Sequence, residues 1–177
     1  MPTITPMQLG FLTVLKEEEK YLGGYLVTNN WGRPLEFRLS SAVQPNPVQE
    51  ILYADTLMPY IYGELIGKTL VEKTSLTPEL IITEEEEVLD LRRHLPIPVV
   101  WLAPLDAQVD SSARIIAQEA EEGQRVIYTS REFLEDLPDI QEQLARLKDV
   151  LDLEEPFRRI REAVSEARKL GVSNRAA

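Results

Sequence analysis

Apolar and polar residues follow a period of two near the start of the chain and a helical period later on. Phe11-Leu-Thr-Val-Leu15 is a short apolar run, and the charged cluster Lys16 to Lys20 marks a turn before Leu22-Gly-Gly-Tyr-Leu-Val-Thr28. Asn29 to Pro34 carries strong turn chemistry, and Leu35-Glu-Phe-Arg-Leu39 then alternates apolar with charged side chains. This is the signature of a strand with one wet face. The spacing predicts a three-stranded antiparallel meander over residues 10 to 40, with Gly23 and Gly24 at a bulge or under a close backbone neighbour.

Asn46 followed by Pro47, with Gln49 three residues after the Asn, is a helix-start signal. From Val48 to Val71 the apolar residues recur at helical spacing, and Pro59 interrupts them, which predicts two helices or one kinked helix. Beyond this the pattern alternates. Leu80 to Ile82, Pro98 to Ala103 and Arg125 to Tyr128 read as strands. Thr83 with Glu86 opens a short helix to about His94, Ser111 to Glu122 reads as a helix closed by Gly123, and Thr129 with Glu132 caps a further one. Strands separated by helices predict parallel pairing through crossovers. Two amphipathic stripes follow, Ile140, Leu144, Leu147 and Leu151, then Phe157, Ile160, Val164 and Ala167, with Pro156 between them. The expected fold class is α/β with mixed α+β character: the N-terminal meander, then alternating helices and short strands in a mixed sheet, then a helical segment. The expected organisation is an α/β domain over 1–130, a helical segment over 131–170 packed on it or on a partner, and a flexible tail over 171–177.

Composition narrows the chemistry. The 177 residues include no cysteine and one histidine, so thiolate metal sites, cysteine nucleophiles and sites built from two histidines of one chain are excluded. Lys and Arg number 19 against 30 Asp and Glu, a formal net charge of -11, and such a surface argues against nucleic acid as a partner. Neither a signal peptide nor a run long enough to span a bilayer is present, which makes the cytoplasm the expected compartment.

Several motifs invite a functional reading. Gly63-Glu-Leu-Ile-Gly67-Lys68-Thr69 has three residues between its glycines where a phosphate-binding loop needs four, and it continues a helical period, so the glycines are expected to serve helix packing. Glu84 to Glu87 occupies the predicted first turn of a helix, where negative charge offsets the helix dipole. His94 follows Arg92 and Arg93 at the predicted end of that helix, and no nucleophile motif accompanies it. Tyr53, Tyr60 and Tyr62 do not share one helix face. Trp31 at a turn is expected to fold back on the core; if exposed, it forms a binding anchor beside Arg33.

The end of the chain is polarised. Between Ser130 and Glu155 nine acids face three bases, whereas Pro156 to Ala177 holds six bases and two acids. Arg158, Arg161 and Arg168 form a basic strip beside the apolar one, suited to intramolecular closure, a protein partner or a homo-oligomer formed through the C-terminal helices. The sequence thus favours a non-catalytic protein-interaction or assembly module. Its candidate contacts are Trp31, Arg33, Arg158, Arg161 and Arg168, with no cofactor and no metal. The alternative is an enzyme or small-ligand binder working through carboxylates that the sequence does not single out.

Overall fold

The computed structural model describes residues 6–108, 115–117 and 125–171. Among the described residues there are seven strands, β1 (Leu9–Glu17), β2 (Lys20–Thr28), β3 (Pro34–Leu39), β4 (Leu80–Thr83), β5 (Val99–Pro104), β6 (Ile115–Ala117) and β7 (Arg125–Ser130). They form one mixed sheet in the order β3-β2-β1-β4-β5-β7-β6. β1 pairs antiparallel with β2 and parallel with β4, β4 pairs parallel with β5, and β5, β7 and β6 are antiparallel in succession. The mixed α/β class, the meander and the helical ending are as the sequence predicts.

The meander forms because its connections are local. Gly32 adopts a φ of 82° between β2 and β3, where a side chain is disfavoured, and the Asn29 carboxamide accepts the backbone N–H groups of Trp31 and Arg33, both at 3.0 Å. Gly23 and Gly24 lie under side chains from opposite faces. Ile66 and Leu70 press on Gly23, and Ile160 presses on Gly24. The pair is therefore a place of close approach on both sides of β2, not a bulge; the register shift of the meander falls between Val27 and Thr28.

The first face of the sheet is covered by residues 57–71 and 88–91, while the helix that precedes them buries no side chain. α1 (Pro47–Tyr53) starts with the box that the sequence predicts: Gln49 N–H donates to the Asn46 side chain at 2.8 Å, and Asn46 N–H donates to the Gln49 side chain at 3.0 Å. α1 ends at Ala54, whose φ is 47°, and a short 3-10 turn (Ala54–Thr56) leads into α2 (Leu57–Pro59), a π-helical stretch (Tyr60–Lys68) and α3 (Thr69–Lys73). The break therefore precedes Pro59, which sits in the first turn of the second helix, where its missing N–H costs no hydrogen bond. A 3-10 segment, Glu86–Arg93, packs beside it, with Gly63 against Asp90 and Leu91 and Gly67 against Leu12 and Leu91. The glycines thus serve packing.

The second face is covered by α4 (Leu137–Leu147) and α5 (Glu155–Lys169). Ile140, Leu147, Phe157, Ile160 and Val164 are buried against Phe11, Leu22, Leu26 and Leu39 of the sheet. The Phe157 and Phe11 rings meet edge to face at 5.5 Å. α4 is led in by a 3-10 turn, Arg131–Asp136, whose cap is Ser130 rather than Thr129. Arg92 fixes that turn by donating to Asp136 at 2.7 and 3.2 Å and lying over the Phe133 ring.

The predicted helix from Ser111 to Glu122 does not survive where it is described: Ile115–Ala117 is strand β6, antiparallel to β7. The rest of that span and the tail from Val172 onward lie outside the described residues. Among the described residues no helix is long and apolar enough to cross a membrane.

Because Ile160 seals α5 onto the bare backbone at Gly24, I160A is expected to cost about 2–4 kcal/mol in chemical denaturation. G24V, which puts branched carbon where Ile160 already sits, is expected to cost at least as much. A loss under about 1 kcal/mol for both variants would show that α5 does not depend on this contact.

Candidate functional site

Two parallel strands of unequal length create the site. β1 runs to Glu17, but β4 stops at Thr83, with Leu12 opposite Thr83 as the last pair. The N–H of Val14, two residues further along β1, has no strand beside it to accept its hydrogen. Glu85 supplies the acceptor: its carboxyl takes the Val14 N–H at 3.3 Å and the Thr13 hydroxyl at 2.8 Å on one oxygen, and the Thr83 hydroxyl at 3.1 Å on the other. Thr83 also accepts the Glu85 N–H at 3.2 Å, which fixes the turn leaving β4. Thr13 and Thr83 are buried, the only polar members of otherwise apolar runs, and Glu85 itself is half-buried.

Burial pushes the Glu85 carboxyl up to about 7, with a smaller push from the neighbouring Glu84, while the hydrogen bonds from Thr13, Thr83 and Val14 pull the other way. At neutral pH this acid is therefore divided between its two protonation states. A protonated Glu85 donates to one of the threonine hydroxyls, and an ionised one accepts from both.

The adjacent carboxylates behave differently. Glu84 is held by Arg161 of α5 at 2.5 Å, and its backbone carbonyl accepts the indole N–H of Trp101 at 3.0 Å. Glu86 and Glu87 lie in the first turn of the 3-10 segment, whereas Glu84 and Glu85 precede it, so the helix dipole accounts for only half of the run. Tyr62, from the π-helical stretch, packs edge to face on Tyr21 at 5.6 Å, and burial, Glu87 and Glu85 all raise its phenol above the ordinary range. Lys16 lies over the Tyr21 ring at 5.6 Å. The carboxyl ends of β1 and β4 thus gather an acid that burial pushes up, the Tyr62 phenol and the Lys16 amine. Among the described residues no group of three or more His, Asp or Glu side chains converges as metal ligands would.

The candidates from the sequence are scattered. Trp31 is 57% exposed at the β2–β3 turn, so it does not fold back on the core, and Arg33 beside it is exposed too. Arg158 pairs with Asp152 at 3.6 Å, Arg161 with Glu84, and Arg168 with Glu17. The basic strip thus makes ion pairs within this chain, from α5 to the ends of β1 and β4. His94 accompanies Asp90 at 3.2 Å, and Arg93 bridges Asp90 and Glu132, all remote in role from the Glu85 cluster. Tyr53 and Tyr60 stack on each other at 4.6 Å, separate from Tyr62. Glu85 is the residue that the sequence reading missed.

No family model matches the sequence, and no curated protein matches it. Among solved structures it is similar to Ciona intestinalis Endonuclease V in complex with a 24mer DNA containing an inosine followed by a ribo-adenosine, with 7% identity, a TM-score of 0.45 and coverage of 71% of each chain. A protein of unknown function from Archaeoglobus fulgidus has 11% identity and a TM-score of 0.46 over 76% of this chain and 84% of that one. The Bacillus subtilis Endonuclease V has 10% identity and a TM-score of 0.39 over 71% of this chain and 64% of that one. Two expectations are corrected by the Endonuclease V matches: that the chain is a non-catalytic interaction or assembly module, and that its acidic surface argues against nucleic acid as a partner. The physical reason lies in the premise of both. A scarcity of reactive residue types and a whole-chain net charge are averages, and neither describes what one strand end assembles.

The raised carboxyl has a definite pH signature. A group whose folded value lies above its unfolded one stabilises the fold fully below the unfolded value, and that contribution is lost as pH rises through the folded one. For Glu85 the window runs from about 4.5 to about 7. E85Q keeps an acceptor for Thr13 and Val14 and a donor for Thr83, so it is expected to be more stable than the parent at pH 8, by on the order of 1–3 kcal/mol, and to flatten the decline across that window. Denaturant melts at several pH values check this; a variant less stable than the parent at pH 8 would contradict it.

Proposed function

We propose that this chain is an acid–base enzyme acting at neutral pH, with Glu85 as its proton-transfer group at the carboxyl ends of β1 and β4. The observation that carries the reading is a half-buried carboxyl held by two buried threonines and a strand amide at the end of β4, where burial pushes it up to about 7. A general acid or base works best when its pKa lies near the working pH, and such a group contributes about 10²–10⁴-fold to rate. Its place supports the reading, because open α/β sheets bind ligands beyond the carboxyl ends of their parallel strands. Thr13 and Thr83 would orient the carboxyl and stabilise either protonation state, and Tyr62, kept neutral, would offer a hydrogen-bond donor to a ligand. Arg161, tied to Glu84, would hold α5 against this end of the sheet.

Nucleic-acid strands are the substrate class to assay first, since DNA is the ligand named for the Endonuclease V complexes. The test incubates the full chain with single-stranded and duplex DNA, with and without inosine, and with the matching RNA strands, between pH 5 and 9. Turnover is expected to follow a single step near pH 7 and to fall by about 10²–10⁴-fold in E85Q. Turnover that E85Q leaves intact would overturn the role of Glu85, and turnover absent for every strand would overturn the substrate class.

A further inference from the structure

Among the described residues the sheet ends on one side in β3, which pairs there with β2 alone. Its outward backbone groups can be identified. The Ser40 N–H donates to the Gly23 carbonyl at 2.9 Å, so in this antiparallel ladder the residues bonded to β2 are Ser40, Arg38 and Glu36, while Phe37 and Leu39 direct their N–H and C=O groups away from it. Unpaired edge groups of this kind are a template for another strand.

The side chains on this edge are self-complementary. Were a second β3 laid antiparallel across a two-fold axis at Phe37, the two Phe37 residues would be directly opposite and would exchange both backbone hydrogen bonds. Glu36 of each copy would then stand opposite Arg38 of the other, while Leu35, skipped at the register shift, falls outside the regular ladder. Opposite charges directly across a ladder stabilise it, and like charges destabilise it. Shifting the axis to Arg38 would set arginine against arginine, so the charges select one register. Phe37 is 36% exposed and Leu35 is 43% exposed. Arg38 is bonded to Glu36 of its own strand at 3.0 Å, and the Ser75 hydroxyl and N–H donate to the same carboxylate at 2.7 and 3.2 Å, so pairing would add the second copy's Arg38 to an acid that is already anchored and give an alternating quartet of two acids and two bases.

We propose that β3 is a homodimerisation edge, on which a second copy of this chain continues the sheet through a two-fold axis at Phe37. The register shift between Val27 and Thr28 limits the regular ladder to the stretch around Glu36 to Arg38, so the dimer is small and reversible, well below the size of an obligate interface. This site lies at the opposite edge of the molecule from β6 and is independent of the Glu85 chemistry.

Light scattering and sedimentation velocity over a micromolar concentration series test the proposal. The parent is expected to move from monomer to dimer as concentration rises. R38E places acids opposite acids and E36R places bases opposite bases, so each is expected to remain monomeric over the same range. An equimolar mixture of the two is expected to form a heterodimer, because every cross-strand pair is then of opposite sign. The doubly exchanged chain, E36R with R38E, is expected to regain self-association. Circular dichroism of each variant verifies that the strand is retained, and recovery in the mixture separates lost pairing from lost folding. A parent that stays monomeric throughout, or a dimer that R38E leaves unchanged, would overturn the proposal; so would failure of the mixture to associate.

Discussion

A parallel strand that ends early leaves its neighbour with backbone donors that must be satisfied, and this mismatch between β1 and β4 governs the most distinctive part of the molecule. β1 has nine residues and β4 four. A buried N–H without an acceptor costs about 1–3 kcal/mol, so something must take the place of the missing strand. A carboxyl does so here, and its own desolvation is the cost. The outcome is an acid that burial pushes up to about 7, placed at the end of the shorter strand.

The helices hold that arrangement from both sides. The chain between Pro47 and Arg93 packs Ile61, Ile66, Leu70 and Leu91 on one face, and α4 and α5 pack the other. The two amphipathic helices of opposite charge find their partners in the same chain. Apolar stripes close on the sheet, and the arginines of α5 reach acids at the ends of β1, β4 and the loop before α5. Exposed pairs of this kind contribute about 0–1 kcal/mol each, so burial of Phe157, Ile160 and Val164 holds α5 while the arginines set its orientation.

What was legible in the sequence is what depends on neighbours along the chain. The meander, the box at Asn46, the two C-terminal stripes and the packing role of Gly63 and Gly67 follow from local spacing. β6 was not legible, because Ser111 to Glu122 has helical composition, and the pairing of Ile115–Ala117 with β7 outweighs propensity. Glu85 was hidden in a run of four glutamates with a sufficient explanation in the helix dipole. A signal was present nonetheless: Thr13 interrupts the apolar run of β1 and Thr83 ends that of β4, so two hydroxyls in buried strands imply a polar group between them. Which of the four acids answers them depends on the register of β1 against β4, residues some seventy positions apart, and no local pattern encodes it.

The most direct measurement is carbon-detected NMR of the Glu85 side-chain carboxyl, assigned by comparison with E85Q and followed from pH 3 to 9. A midpoint near 7 is expected, set apart from the other glutamates and shifted toward the ordinary value when unfolding exposes the carboxyl to water. A midpoint at or below about 4.5 would contradict it, since Glu85 would then be an ordinary ionised carboxylate capping a strand.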